Sequence, residues 1–287
     1  MEKIIIEVGS TVTKIDKFED GKVKRLGDKA ILFKKNYLKD KKLRKSDIDE
    51  LILTVNEIKE KYNDVYVCGT SIFRTLNEEE KKKFLKEFKG KTNLDFHIIS
   101  VEEENKLTVL GSVKNVKSKV CVFVGGGGST EISIYDKKII ENVNTPIGVM
   151  DVMEKFPNLA DDIAKTSVEE VKKYIKERLN LPKGKADILI LSGGGHEKFA
   201  RYSGIKYEKN TLYSDQNEPI MMDIETRKRE TERYFKEISL NEIRNKSKDP
   251  NWWDATRAMC AFSLVVAEEI EAKYIIPTDI SMAYGIE

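Results

Sequence analysis

The chain has little that a soft metal would hold and little that titrates near neutrality. Its 287 residues include only two histidines, His97 and His196, and three cysteines, Cys68, Cys121 and Cys260. Two imidazoles exclude a polyhistidine centre, so any ion must be a hard one held by oxygen, such as magnesium or manganese. The cysteines are odd in number, lie far apart and show no C-x-x-C spacing. Two of them sit in apolar strand-like runs, where a thiol behaves as a small hydrophobe, so all three are expected reduced and structural. No hydrophobic run approaches a membrane span, and the apolar stretch at the start is too short for a signal peptide, which makes the cytoplasm the expected location. An excess of charge of one sign is missing too: 51 basic residues stand against 49 acidic ones, a net charge of +2. Nucleic-acid binding has no further support, because no aromatic and basic platform is present.

What is present describes a globular protein, 40% hydrophobic and 35% charged, with only six prolines. The length suggests two domains, and a chain of this size buries about three quarters of its unfolded surface without staples. One local basic run stands out, made of Lys34, Lys35, Lys39, Lys41, Lys42, Arg44 and Lys45. Such a run can track a polyanion, but the plainer reading is a solvated lysine-rich face.

A pattern occurs twice. Residues 3–8 are apolar and β-branched, Gly9, Ser10 and Thr11 turn, residues 12–18 alternate, and Asp20-Gly21 signals a hairpin. Residues 120–124 repeat the apolar strand, four glycines at 125–128 turn, residues 131–135 alternate, and Asp136 to Lys138 turn the chain into a third strand. Helices are predicted over 46–62, with Ser46 as N-cap, over 77–88, and from Glu102 onward. In the second half, Ser167 and Glu170 form a capping box, and an apolar helix fits 255–271. Two α/β halves with one plan imply two similar lobes with a cleft between them. The polar stretch at 112–118 is the expected connector, giving an N-terminal lobe over 1–115 and a C-terminal lobe over 116–287.

Glycine turns after strands let backbone N–H groups converge on an anion. Gly126, Gly127 and Gly128 with Ser129 are the strongest instance, since adjacent glycines after an apolar strand are costly unless something must approach the backbone. The turn at Gly193 and Gly194, before a helix, is a second candidate, and Gly9-Ser10 a weaker third. None is a Walker loop, because no Gly-Lys-Ser/Thr follows. The acidic cluster Glu102-Glu103-Glu104 opens a helix, where carboxylates are favoured for electrostatic reasons alone.

Several phrases in order resemble one known family. Ile99 to Leu107, with Gly111 beyond, is similar to its I-S-G-x-E-E-A-R-L-x-x-x-G segment. Thr70 to Arg74 resembles its T-x-x-x-R segment, and Gly126 to Glu131 matches its G-G-G-S-T-E loop residue for residue. Pro146, Ile147 and Gly148 resemble its P-x-G, and Arg257-Ala258 and Gly285 echo its closing segments. By these residues the chain resembles the exopolyphosphatase and guanosine pentaphosphate phosphohydrolase (Ppx/GppA) family. The resemblance implies an α/β fold of two ribonuclease-H-like lobes, the actin/sugar-kinase/Hsp70 superfold. It makes Glu104 the catalytic base that orients water against a terminal phosphate. Arg74, Gly9, Ser10, Gly126, Gly127, Gly128, Ser129, Gly193 and Gly194 become phosphate-binding residues, and Glu7 and Glu131 ligands of Mg2+ or Mn2+.

The chain also departs from that pattern. Val124 stands where the family has an aspartate, Glu7 replaces the N-terminal aspartate, and the third loop ends in His196 instead of threonine. The expected function is a metal-dependent phosphoanhydride hydrolase that removes the terminal phosphate of polyphosphate or guanosine pentaphosphate. The alternatives are a non-catalytic nucleotide- or polyphosphate-binding protein of the same fold and, third, a kinase or ATPase of the superfold. Expected partners are polyphosphate or a guanosine polyphosphate nucleotide, with a homodimer open as the assembly and neither nucleic acid nor membrane.

Overall fold

A computed structural model describes residues 2–10, 12–19, 22–114, 116, 118–193, 195–202, 208–209, 220–245 and 253–286. The chain forms two compact units, Met1–Leu107 with Met282–Glu287, and Thr108–Ser281. The division falls at residue 107, ahead of the polar stretch at 112–118, and the last residues group with the first unit, not with the C-terminal lobe expected over 116–287.

The first unit is built on a five-stranded sheet. β1 (Glu2–Val8), β2 (Val12–Glu19) and β3 (Lys22–Ala30) form an antiparallel meander, and β4 (Val65–Gly69) and β5 (Phe96–Ile98) add in parallel, in the order β3-β2-β1-β4-β5. β1 reads as one apolar run because both of its faces are covered. Ile4, Ile6 and Val8 enter the main core with Leu51, Val55, Phe73, Phe84 and Phe88. Ile5 points the other way, into a smaller cluster with Cys68, Ile99, Met282, Ala283 and Ile286. The chain terminus therefore supplies the lid of that second face. Gly285 makes this possible: a Cβ there would lie 2.0 Å from the carbonyl oxygen of Leu107.

Helices α1 (Phe33–Asp40), α2 (Lys45–Lys59), α3 (Glu78–Thr92) and α4 (Val101–Val113) complete the layer order. α2 begins one residue before the predicted cap: Arg44 is its N-cap, without a side-chain bond, and Ser46 lies inside the helix. α3 is capped by Asn77, whose side chain accepts from the Glu80 amide. The basic run forms α1 and the turn after it. Lys34, Lys39, Lys41 and Lys42 are exposed, whereas Arg44 pairs with Asp40, and Lys45 with Asp49 and Glu87.

The second unit repeats the plan. β6 (Val120–Gly125), β7 (Thr130–Asp136) and β8 (Lys138–Thr145) form the meander, β9 (Ile188–Ser192) and β12 (Tyr274–Pro277) add in parallel, and β11 (Ile220–Asp223) and β10 (Glu208–Lys209) extend the edge antiparallel. The order β8-β7-β6-β9-β12 is that of the first unit, so both sheets are ribonuclease-H-like, as expected. α5 (Val149–Lys155), α6 (Val168–Lys176), α7 (His196–Tyr202), α8 (Ile224–Lys236), α9 (Leu240–Arg244) and α10 (Thr256–Glu269) surround it. The Ser167–Glu170 capping box is formed. α10 is buried on nearly every side, from Ala258 to Ala267. All three cysteines are free and buried. Asp20, Gly21 and Thr11, named above as turn residues, lie outside the described residues.

Candidate functional site

In the first unit, the loop between β1 and β2 is closed by the Gly9 amide donating to the Val12 carbonyl at 3.0 Å. Glycine is needed there, because a Cβ would lie 2.8 Å from that same carbonyl oxygen. The Ser10 carbonyl accepts from the Lys34 amide at 2.9 Å, which ties the loop to the start of α1.

Arg74 lies in the one-turn helix Ser71–Thr75 that follows β4. Its guanidinium donates to the Ile99 carbonyl at 3.0 Å and to Glu104 Oε2 at 2.7 Å. The three glutamates of the acidic cluster thereby separate. Glu102 and Glu103 are exposed in the first turn of α4, and Ser100 Oγ caps the Glu103 amide at 3.1 Å. Glu104 turns inward to Arg74. Burial raises its carboxyl above the usual range, the Arg74 bond and charge pull it back, and Glu7 pushes it up further. A carboxylate made more basic by burial, yet kept near a guanidinium, is the environment a general base needs.

Glu7 shares a face of the sheet with Cys68 on β4 and with Lys14 on β2, which stand directly opposite it. Its Oε1 accepts from the Lys14 ammonium at 2.9 Å. Two residues further along β2, the buried Asp16 is held by Arg25 of β3 at 2.5 Å. Lys14, Asp16 and Arg25 are site neighbours that the sequence reading passed over. The signal was present: with β1 and β2 paired through a short turn, the two-residue period puts Lys14 opposite Glu7.

In the second unit, the loop after β6 is closed by the Gly126 amide donating to the Ser129 carbonyl at 2.8 Å. The carbonyls of Gly126 and Gly127 are then taken by the Val149 and Met150 amides at 3.1 and 2.9 Å. The first turn of α5 thus sits on the loop, and only glycine at 148 permits it: a Cβ there would lie 2.4 Å from the Gly127 carbonyl carbon. The exposed Gly127 and Gly128 have amides that bond to nothing among the described residues. This is the geometry of an anion-binding turn.

Glu131 is buried on β7, opposite Val124 of β6 and Asn144 of β8. The third glycine turn is shaped differently. Gly193 and Gly195 adopt left-handed backbones at φ 101° and 79°, and the Gly193 amide donates to the Ile280 carbonyl at 2.7 Å. Gly194 lies outside the described residues. The Glu197 amide at the start of α7 already donates to Asp279 Oδ1 at 3.0 Å, an anion of the chain's own. His196 beside it is buried, and burial, with the charge of Arg227, pulls its imidazole down to about 3, so it is neutral at physiological pH.

Arg257, which the closing motif brought into view, is a structural residue: it is 2% exposed and bonds five backbone carbonyls of its own unit.

A magnesium ion keeps several waters and takes one or two carboxylates together with substrate phosphates. Of the two glutamates expected to hold one, Glu7 is engaged by Lys14 in the first unit. In the second unit Glu131 stands opposite Val124, which offers no oxygen. Among the described residues, no three His, Cys, Asp or Glu side chains cluster closely enough to hold an ion.

Residues 15–249 match the Ppx/GppA phosphatase family. Solved structures similar to the chain include a Ppx/GppA family member from Aquifex aeolicus, at 20% identity and a TM-score of 0.73 over 99% of this chain and 95% of that one. A type II variant of the Aquifex aeolicus Ppx/GppA phosphatase is 19% identical, with a TM-score of 0.74 over 99% and 97%. An exopolyphosphatase from Cytophaga hutchinsonii is 16% identical, with a TM-score of 0.75 over 100% and 96%. At such identities the likeness speaks for the fold, the double ribonuclease-H-like architecture of the actin/sugar-kinase/Hsp70 superfold. No curated protein sequence matches the chain. Among the described residues, no helix is long and apolar enough to cross a membrane.

Proposed function

The chain belongs to the Ppx/GppA phosphatase family, and on that premise we propose that it hydrolyses a terminal phosphoanhydride, of polyphosphate or of guanosine pentaphosphate. The observation that carries this reading is Glu104, the one member of the acidic cluster that turns inward, bonded to Arg74 at 2.7 Å and raised by burial. Phosphoryl transfer asks little covalent help of a protein: a positioned water, and donors for the phosphoryl oxygens. Glu104 orients and deprotonates the water. Arg74 neutralises oxygen charge, and the second unit has, by itself, an anion-binding turn in the amides of Gly127 and Gly128. No step is assigned to a divalent ion, because Glu7 is held by Lys14.

A second reading, a protein that binds such phosphates without turning them over, is favoured by one observation: Val124, apolar, opposite Glu131 where the family has an aspartate. Phosphate release from polyphosphate and from guanosine pentaphosphate separates the two. With magnesium, manganese or neither, the wild type releases phosphate and Glu104→Gln is slower by about 10²–10⁴-fold, the usual worth of a general base. Binding of both ligands with no release under any of these conditions selects the second reading. Release that survives Glu104→Gln removes Glu104 from the role of base.

A further inference from the structure

We infer that Lys14 does, in this chain, the work of a site cation at Glu7, so that phosphate binds to the first unit without a divalent metal. The inference rests on the proposed phosphate chemistry and goes beyond it. Three carboxylates lie on or beside one face of the first sheet, and each is met by a cation of the chain: Asp16 by Arg25, Glu7 by Lys14, Glu104 by Arg74. The pairs alternate across the strands, with Asp16 and Lys14 two apart on β2 and Glu7 opposite Lys14 on β1. A glutamate at position 7 is what lets this happen, since its arm is one methylene longer than an aspartate's and reaches the ammonium across the strand pair.

The pair is also polarised toward solvent. The Glu7 side chain is 8% exposed and that of Lys14 31%. The buried carboxylate fixes the ammonium, and Lys14 carries the greater part of the pair's exposure. An ammonium carries three donors. One goes to Glu7, and the others meet no side chain among the described residues, which leaves them for phosphate oxygens. A divalent ion at Glu7 would have to expel Lys14 or lie against a like charge.

The test is calorimetric binding of inorganic triphosphate and of inorganic phosphate to the full chain, in EDTA and in magnesium, with magnesium alone as a third titration. For the wild type the expected result is phosphate binding that changes by less than about threefold between EDTA and magnesium, and no heat from magnesium alone. Lys14→Met weakens binding in EDTA by about tenfold or more, the worth of a charge-assisted hydrogen bond. Magnesium then restores part of the loss, because Glu7 is free to take it. Lys14→Arg keeps the wild-type behaviour within about threefold, the guanidinium being a permanent cation. Should Lys14→Met unfold for want of a partner to Glu7, the double variant Glu7→Gln/Lys14→Met removes both charges. It is expected to fold, to bind phosphate as weakly as the single variant, and to gain nothing from magnesium. Wild-type binding that collapses in EDTA overturns the inference while leaving the proposed hydrolase standing. So does Lys14→Met binding as well as wild type in EDTA. A wild type that binds neither phosphate in any buffer overturns both.

Discussion

Replacing Arg257 by methionine tests whether the closing arginine is architecture or chemistry. All five of its N–H groups are used: Nε donates to the Tyr234 carbonyl at 2.8 Å, one terminal nitrogen to Leu159 and Asp161 at 2.9 and 2.6 Å, the other to Asp162 and Ile238 at 2.6 and 3.0 Å. Burial lowers the guanidinium from its usual value, and the carbonyls repay part of that cost. Methionine fills much of the volume but satisfies none of the five. The carbonyls of Tyr234 and Leu159 belong to fully buried residues, and at about 1–3 kcal/mol for each stranded acceptor they alone account for roughly 2–6 kcal/mol. The other three lie nearer the surface and recover water. A loss of about 4 kcal/mol is therefore expected, a large share of a domain's usual 5–15 kcal/mol. Lysine, with three donors and no fork, leaves at least two carbonyls unbonded and falls between.

Urea unfolding of the intact chain, followed by circular dichroism, reads this as a lower midpoint at unchanged slope. Phosphate release measured in the same samples at low urea, per folded molecule, stays at the wild-type level. Two results refute the reasoning: a loss below about 1 kcal/mol for Arg257→Met, which means the carbonyls are readily rehydrated, or full stability with lost turnover, which makes Arg257 a ligand-binding group.

Three other outcomes follow from the structure. His196, pulled down to about 3 in the fold, leaves the unfolded chain holding the extra proton between pH 3 and 6.5, so wild-type stability rises with pH across that window. His196→Leu should flatten the rise, and equal slopes for the two chains would contradict the burial argument. Glu104 is the reverse case: its raised carboxyl makes wild-type stability fall as pH rises from about 4.5 through the folded value. The melting temperature of Glu104→Gln relative to wild type should therefore climb from acid toward neutrality, and a flat difference would mean that burial costs the carboxylate nothing. Gly148→Ala forces a methyl against the Gly127 carbonyl carbon at 2.4 Å, so it should displace the Gly126–Ser129 loop. Phosphate binding should fall by about tenfold or more, while melting changes by only a few degrees. Unchanged binding would detach the loop from the ligand.

The parts of this architecture that could be read beforehand are those whose signals are local. β1 and β6 are short β-branched runs covered on both faces, and the glycines after them have one use. The Ser167–Glu170 box announces α6 by its own chemistry. What escaped is held by partners distant in sequence. α8 shows no apolar stripe because much of its buried face is polar: Arg227, Glu230 and Thr231 are buried with Tyr234 and Phe235, and Arg227 is satisfied by Ser263 of α10. The terminal turn at Met282 could not be assigned to the first unit without knowing that Ile5 needed a cover.

The site divides along the same line. A glycine is informative alone, because so few positions tolerate one without reason, and the Gly126–Ser129 loop was found on that ground. A charged residue is informative only with its partner. Glu102, Glu103 and Glu104 are equivalent as letters, and all three suit a helix's first turn. The distinction comes from Arg74, thirty residues earlier, which selects one of them through a bond that folding makes. Lys14 is the harder instance: in an alternating strand a lysine reads as the solvent face, yet only about a third of its side chain is exposed. The rest is buried, with its ammonium on the Glu7 carboxylate. Departures from a family pattern are thus best judged as pairs, because Glu7 is a conservative change taken alone and a different electrostatic design taken with Lys14.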